Sequence, residues 1–545
     1  MGSTHWDQSI GINGINQLLG SDQLRQLGDK GDQLRSRDTN GPIGTRTQKH
    51  SLACHVNVNW NGIQRMKGAL ALLFPLHSLI LLVWLPLASP LDDNKAVFRD
   101  GTLESLAGLL NSHGPSLLNG SSSFSPEQHG EKFLSVLSKW LVAEPAVPFK
   151  PGTDHSYVPP GPLDCKDKDY TTVLTGKPLA SPRFIVDFVA FGYDLDSMEI
   201  RLVETGASVD LFVVYESPRT QSGWVKPMIF REAMQHPRFR PFLPKILYFA
   251  ASDEDISGFT HKTMHATHHG KGSVHLRKGA WALEQAQRTE IIRRFREVVA
   301  MNATLKALVE GGGQRRSWGL QNDEDELVNG DALKHLRRCE VRAEVTAIYT
   351  PCVSFKKSFH WLQLTSDLMC LGNVGEKENE LAHYLWRPGP WLWPLEEMLR
   401  RGSTLRHVFP SKGDECQHHM GIPSAFHLSA VDDPAAAWFK HFGVIEESTA
   451  HVLSDSFVKA WGKAEVTPEL IASTVRPWCN TEHPSRHVSV LSEAAYDALM
   501  HVVPTVVIAN PDRYPFHLPA NLSLSEATSH IRKFADPHWV QLCQT

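Results

Sequence analysis

The chain has 545 residues, with 55 Lys and Arg against 59 Asp and Glu, a formal net charge of −4. That balance gives no general attraction for a polyanion, so no nucleic acid is expected as a main partner. Hydrophobic residues at 41% and charged residues at 21% exclude wholesale disorder and a multi-spanning membrane protein, with room for roughly two to four domains.

Residues 1–65 are rich in Gly, Gln and Asn and carry an imperfect repeat, Asp22-Gln23-Leu24-Arg25 and then Asp32-Gln33-Leu34-Arg35. They read as a flexible cytosolic tail or as sequence upstream of a start at Met66. From Gly68 to Ala88 there is no charged side chain, and about 20 apolar residues suffice to cross a ~30 Å hydrocarbon core. Arg65 and Lys67 precede the run and Asp92 and Asp93 follow it. The positive-inside bias then keeps the N-terminus cytosolic and translocates the rest. The expectation is a single-pass type II protein with a signal-anchor transmembrane helix over 66–90. The rival reading is a cleaved signal peptide that starts at Met66-Lys67.

Beyond this run lie three N-x-S/T triplets, at Asn119, Asn302 and Asn521, each a glycosylation acceptor if it is lumenal. Seven of the eight cysteines also lie there, spread singly with no CxxC pair. This argues against a zinc ribbon and a thioredoxin-like site, and the pairing is not legible from spacing. Residues 91–180 are rich in Ser, Pro and Gly, interrupted by helical patches such as Glu131 to Val142. They are expected to form a stem, with the packed domain over 181–545.

The predicted domain opens on an apolar strand, Phe184 to Phe191, a turn at Gly192-Tyr193-Asp194, and a helix from Asp196 to Thr205. Strands at Val209 to Tyr215 and Lys245 to Phe249 complete a βαβ pattern of an α/β fold. In such sheets ligands gather beyond the C-terminal strand ends, here around Tyr215-Glu216-Ser217. No GxGxxG or Walker A sequence occurs, so neither a nicotinamide nor a P-loop site has support. A helical periodicity from Trp281 to Val299 leads toward the acidic cluster Asp323-Glu324-Asp325-Glu326.

Acidic runs are most often solvated surface. In an extended or turn segment, however, Asp-x-Asp turns both carboxylates to one side as hard ligands for Mn²⁺ or Mg²⁺, which would bridge the phosphates of a nucleotide-sugar. A lumenal α/β domain behind an anchor and a stem is the layout of Golgi sugar transferases. Asp323 and Asp325 are thus the metal and diphosphate candidates, and Glu326 is either a third ligand or the cap of a following helix. Glu216 either bonds the donor or pairs with Lys226, which can itself offset diphosphate charge. Asp194, at the end of the first strand, is a candidate donor or acceptor contact. His427 either bonds a sugar or phosphate or is a satisfied core histidine. Glu199 and Arg201 read as a structural pair. His261, His265, His268 and His269 invite a zinc reading, weighed against a Gly/Lys/Thr-rich loop; Cys416 with His418 and His419 is similar. Most of the 15 Trp are expected in the core.

The stretch Phe191-Gly192-Tyr193-Asp194-Leu195-Asp196-Ser197-Met198-Glu199-Ile200-Arg201-Leu202, with Val209 to Ser217, Thr220, Gly223, Lys226-Pro227 and Lys245 to Tyr248, resembles the opening of glycosyltransferase family 17. Trp281, Glu284, Gln287 and Arg288 resemble the helix before the family's acidic motif, and Asp323-Glu324-Asp325-Glu326 matches its D-x-D-E. Phe426-His427-Leu428-Ser429 resembles its W-H-x-S, and Asn510-Pro511-Asp512-Arg513-Tyr514 its closing N-P-x-R-Y/F. Departures are Gly192 and Asp194, where the family usually has Asn and Glu, and Phe426 for Trp. The polar Gly311 to Arg316 stands where a strand would lead into the motif.

The resemblance implies a GT-A-like mixed sheet with flanking helices in the Golgi lumen. It implies inverting transfer of N-acetylglucosamine from UDP-GlcNAc to a mannose of an N-glycan, the β-1,4-mannosyl-glycoprotein 4-β-N-acetylglucosaminyltransferase activity, with manganese. Inversion needs a base for the acceptor hydroxyl, and Asp414, Glu415, Asp432 and Asp433 stand unranked for it. The alternatives are a catalytically inactive glycan-binding or scaffold protein of the same fold, and a glycoside hydrolase using paired carboxylates.

Overall fold

Apolar but for Asp187, the run Ile185–Phe191 has no polar face to turn to water and forms a strand buried from both sides. The structure, a computed structural model, describes residues 98–99, 102–119, 124–159, 161–252, 255, 274–311, 316–356, 358–362, 385–386, 390–402, 418–421, 424–429, 434–443, 455–474 and 503–514.

A short parallel pair, β1 (Phe98–Arg99) and β2 (Glu144–Pro145), comes first in the chain. β3 (Leu174–Pro178), β4 (Ile185–Phe191), β5 (Leu211–Glu216) and β6 (Ile246–Ala250) follow. β7 (Trp318–Asp323) and β8 (Glu326–Val328) flank the acidic cluster, and β9 (Cys339–Val341) pairs with β3. The remaining strands are β10 (Ile348–Tyr349), β11 (Cys352–Lys356), β12 (Ser358–Leu362), β13 (Leu385–Trp386), β14 (Trp391–Pro394) and β15 (Ala425–Ser429).

The main sheet runs β10-β14-β7-β4-β5-β6, with β7, β4, β5 and β6 parallel and β14 antiparallel to β7. The helix Val274–Met301 lies over one face, with Phe295 edge-on to Phe188 at 5.1 Å between ring centroids. The helix Leu195–Thr205 lies over the other, where its Arg201 meets Asp187. A second sheet, β12-β11-β15-β8, sets His427 of β15 opposite Glu326 of β8. β5 and β6 extend the main sheet to one side of β4 and β7 to the other, so the winding reverses between β4 and β7. At such a reversal the strand ends diverge and leave a crevice for ligand.

The strands and helices expected between 184 and 301 are present, with ends moved by a few residues. Two expectations are corrected. A strand does lead into the acidic cluster: Trp318 and Leu320 are buried in β7, and its polar Gln321 is satisfied by donating from Nε2 to the carbonyl of Arg288 at 2.8 Å. The stretch 91–180 is not simply a spacer. Helices Leu103–Leu118 and Pro126–Val142 bury Leu106, Leu110, Phe133, Leu134 and Leu137 in the common core, because their apolar residues recur at helical spacing. Gly114 sits where a methyl group would overlap the backbone oxygen of Trp461. Gly114→Ala is therefore expected to lower stability by about 1–3 kcal/mol, read as a fall in the thermal unfolding midpoint; an unchanged midpoint would mean that the helix Leu103–Leu118 does not pack on the helix Asp455–Gly462 as described.

Glu204 is buried on the helix Leu195–Thr205, its carboxyl close to the N–H groups of Val506, Gly330 and Thr505 at the starts of two other helices, with Oε2 left without a hydrogen-bond partner. Burial pushes its carboxyl up to about 7 from 4.5, against those N–H groups, which lower it, while Asp331 raises it further. The folded chain thus holds a proton that the unfolded carboxyl releases. Stability is full below pH 4.5, falls as pH rises toward 7, and stays lower above it, by on the order of 3 kcal/mol. Glu204→Gln is expected to be more stable than the parent at pH 8 and near parity at pH 4.5; denaturant midpoints across that range check the sign.

Cys165 and Cys339 form a disulfide, and Cys352 is buried outside that bridge. Asn119 is exposed at a helix end, whereas Asn302 is buried and accepts from the N–H of Leu305 at 2.9 Å, leaving no room for a glycan. Asn521 and the apolar run Gly68 to Ala88 lie outside the described residues. Among the described residues no helix is long and apolar enough to cross a membrane.

Candidate active site

The tips of β4 and β7 meet at the winding reversal. β4 ends in Gly192-Tyr193-Asp194, and β7 runs into Asp323-Glu324-Asp325 before β8 begins. Arg201 ties the acidic loop to the body of β4. Its Nη1 grips Asp187 at 2.9 and 2.8 Å, and its Nη2 donates to the carbonyls of Asp323 and Glu326.

Gly192 lets the tips close. A Cβ there would stand 2.7 Å from Oε1 of Glu324, the oxygen that accepts from the N–H of Tyr193 at 3.3 Å. Glu324, the residue between the two candidate ligands, is buried. Burial first, and then the neighbouring Asp325, Asp323 and Asp194, push its carboxyl upward. Asp194 is 2% exposed and caps its helix, with Oδ1 accepting from Asp196 and Ser197 N–H; its Oδ2 is buried with no hydrogen-bond partner. A buried orphan oxygen is costly unless something else binds it.

Each candidate aspartate meets a cation. Asp323 accepts from Arg288 Nη2 at 2.6 Å on both oxygens, and Arg288 also pairs with Glu284 one turn back on its helix. Asp325 Oδ2 lies 2.8 Å from Lys440 Nζ and 3.2 Å from His427 Nε2. Burial opposes the charge on Asp325, but Lys440 and His427 outweigh it and hold the carboxyl well below the usual range. A shared divalent ion needs carboxylate oxygens open to a common point. Here Arg288 occupies both oxygens of Asp323, and Lys440 and His427 occupy Oδ2 of Asp325, so a shared ion would compete with a guanidinium and, at that oxygen, with an ammonium. Among the described residues no three His, Cys, Asp or Glu side chains converge as a ligand set. The arrangement does not fit a metal held by the two aspartates.

The other candidates are braces. Glu216 accepts from Lys226 Nζ at 3.4 Å, Tyr248 Oη at 2.8 Å and the N–H groups of Phe230 and Arg231 at 3.0 and 3.1 Å. Lys226 is buried, and burial lowers its ammonium against the pull of Glu216. Glu326 does not cap the following helix, because Asn329 does that, accepting from Asp331 N–H at 2.7 Å; the Glu326 carboxylate folds back toward the N–H of Asp323. Glu199 and Arg201 are structural but not paired with each other: Glu199 holds Arg513 and Tyr514, docking the closing N-P-x-R-Y element on the first helix. His418 and His419 meet Thr172. His261, His265, His268, His269, Cys416, Asp414, Glu415, Asp432 and Asp433 lie outside the described residues.

Sequence reasoning missed Lys440, which arrives on the helix Pro434–Gly443 far along the chain. That helix is set by Tyr193 stacked on Phe439 at 5.2 Å and by Phe133 against Phe442 at 5.0 Å, so a segment read as stem helps deliver the lysine. No local spacing signals it. Arg288 carried a signal, its i, i+4 spacing from Glu284, which suits an ion pair along a helix.

Residues 163–366, under half of the chain, match the family model of glycosyltransferase family 17. That span holds β3 through β12 and the whole acidic loop. No curated protein matches the chain. The match supports the family resemblance and, at the coarse level, a glycosyltransferase.

Proposed function

We propose that this protein is an inverting glycosyltransferase that moves N-acetylglucosamine from UDP-GlcNAc to a mannose hydroxyl of an N-glycan. The observation that carries the reading is the juxtaposition of Gly192-Tyr193-Asp194 with Asp323-Glu324-Asp325 at the winding reversal, inside the span that matches the family. A donor placed there would lie over the ends of β4 and β7, with Lys440 and His427 beside its phosphates.

The Cys165–Cys339 bridge is of a kind that persists in oxidising compartments, and with the apolar run Gly68 to Ala88 it supports a Golgi-lumenal setting. The test is release of UDP from UDP-GlcNAc by the full-length chain, with and without an N-glycan acceptor. Acceptor-dependent release with a new β-linked sugar is expected. Glycan binding without nucleotide affinity would instead indicate an inactive member of the fold.

A further inference from the structure

We propose that the acidic loop works without a resident divalent ion: Asp325 holds Lys440 and His427 in place, and these two supply the donors that meet the donor diphosphate. The inference rests on reading the site as a nucleotide-sugar site.

Its basis is how charge is arranged. Asp323 and Asp325 engage different cations. Asp323 is braced from within the helix layer by Arg288, whose side chain is only 2% exposed. Asp325, His427 and Lys440 each keep about a tenth of their side-chain exposure, at 11%, 11% and 10%. Asp323 keeps 25% of its side-chain exposure, while its partner Arg288 is enclosed. Lys440 is no floating surface lysine, because its helix is clamped by the Tyr193–Phe439 stack and by the packing of Phe133 on Trp438 and Phe442.

A divalent ion beside Asp325 would meet an ammonium already on the same oxygen, and like charges at that distance repel strongly in a buried setting. A phosphate faces the reverse situation, since the ammonium keeps N–H groups beyond the one given to Asp325, and the imidazole, when protonated on both nitrogens, keeps a second N–H beyond the one at Nε2. In the transfer, the acceptor oxygen bonds to the anomeric carbon and the bond from that carbon to the diphosphate breaks. Its electron pair goes to the departing UDP, and the hydroxyl proton goes to a base on the acceptor side. Lys440 and His427 sit where the departing oxygens gain charge.

The full-length chain, stripped of metal and held in detergent, is titrated with UDP by calorimetry in excess EDTA and again in excess MnCl₂. Equal affinity within about twofold is expected. Manganese spin resonance should show no ion taken up by the protein with UDP. Lys440→Met should weaken UDP binding roughly ten- to a hundredfold in EDTA, with Lys440→Arg keeping most of it. Thermal unfolding of both variants shows whether they fold; if Lys440→Met does not, the arginine variant and the EDTA comparison on the parent decide. UDP binding seen only with manganese overturns the proposal and leaves the nucleotide-sugar site standing. Absence of UDP binding in both conditions overturns the site itself and the proposal with it.

Discussion

Arg201→Met is expected to lower the unfolding free energy by about 3–5 kcal/mol and to free the acidic loop. The arginine and Asp187 are 1% and 0% exposed, and the guanidinium is shared between that carboxylate and the carbonyls of Asp323 and Glu326. Methionine fills similar volume but leaves Asp187 ionised without a partner in the sheet interior and two carbonyls without a donor. Burial already pushes the Asp187 carboxyl upward against the pull of Arg201, so removing the arginine tips it further toward the neutral form. Lysine is a poor replacement, because one ammonium cannot span a carboxylate and two carbonyls as a planar fork does. The measurement is the denaturant midpoint together with amide exchange at 323–326. A double variant, Arg201→Met with Asp187→Leu, should recover part of the stability while the loop amides stay unprotected. If loop protection survives in either variant, Arg201 is not what fixes the acidic loop.

Much of the scaffold could be read in advance because its signals are local. The largely apolar runs at 185–191 and 211–216 follow from neighbours in sequence, whereas Asp194, read as a ligand contact, turns out to cap its helix. The acidic cluster stood out for the same reason, and the structure sets it just beyond β7 at the winding reversal. Its electrostatics were not legible. The partner of Asp325 comes from 115 residues away, and the partner of Asp323 from 35. No spacing rule joins such residues, since tertiary packing alone decides which cation faces which carboxylate. The helices at 103–118 and 126–142 were misjudged for a related reason. Ser, Pro and Gly dominate the composition around them, while the apolar stripe that buries them shows only at helical period.

Gly192 shows how a local departure and a distant contact explain each other. The space a side chain would need there is taken by the carboxyl of Glu324, which also receives the N–H of Tyr193. Tyr193 in turn stacks on the helix that brings Lys440. The absent side chain, the buried glutamate and the lysine thus form one continuous contact from the tip of β4 to the far side of the loop. A small residue at 192 is matched to this loop and its cation.

Asp325→Asn is expected to reduce transfer at least a hundredfold and to cost about 3–5 kcal/mol of stability. The amide keeps the shape but cannot balance an ammonium 2.8 Å away, and Lys440 is left largely buried without its counter-charge. Stability and activity can be separated through the partner. In Asp325→Asn with Lys440→Met the uncompensated charge is gone, so the unfolding midpoint should return most of the way to the parent. UDP affinity and transfer should stay low, since the cation that meets the diphosphate is also gone. A purely structural carboxylate would behave otherwise, with function recovering as the fold does. The comparison is made at equal folded fraction, with midpoints by denaturant and UDP affinity by calorimetry. Recovery of both properties in the double variant would reduce Asp325 to a packing role and move the diphosphate site elsewhere along the strand ends.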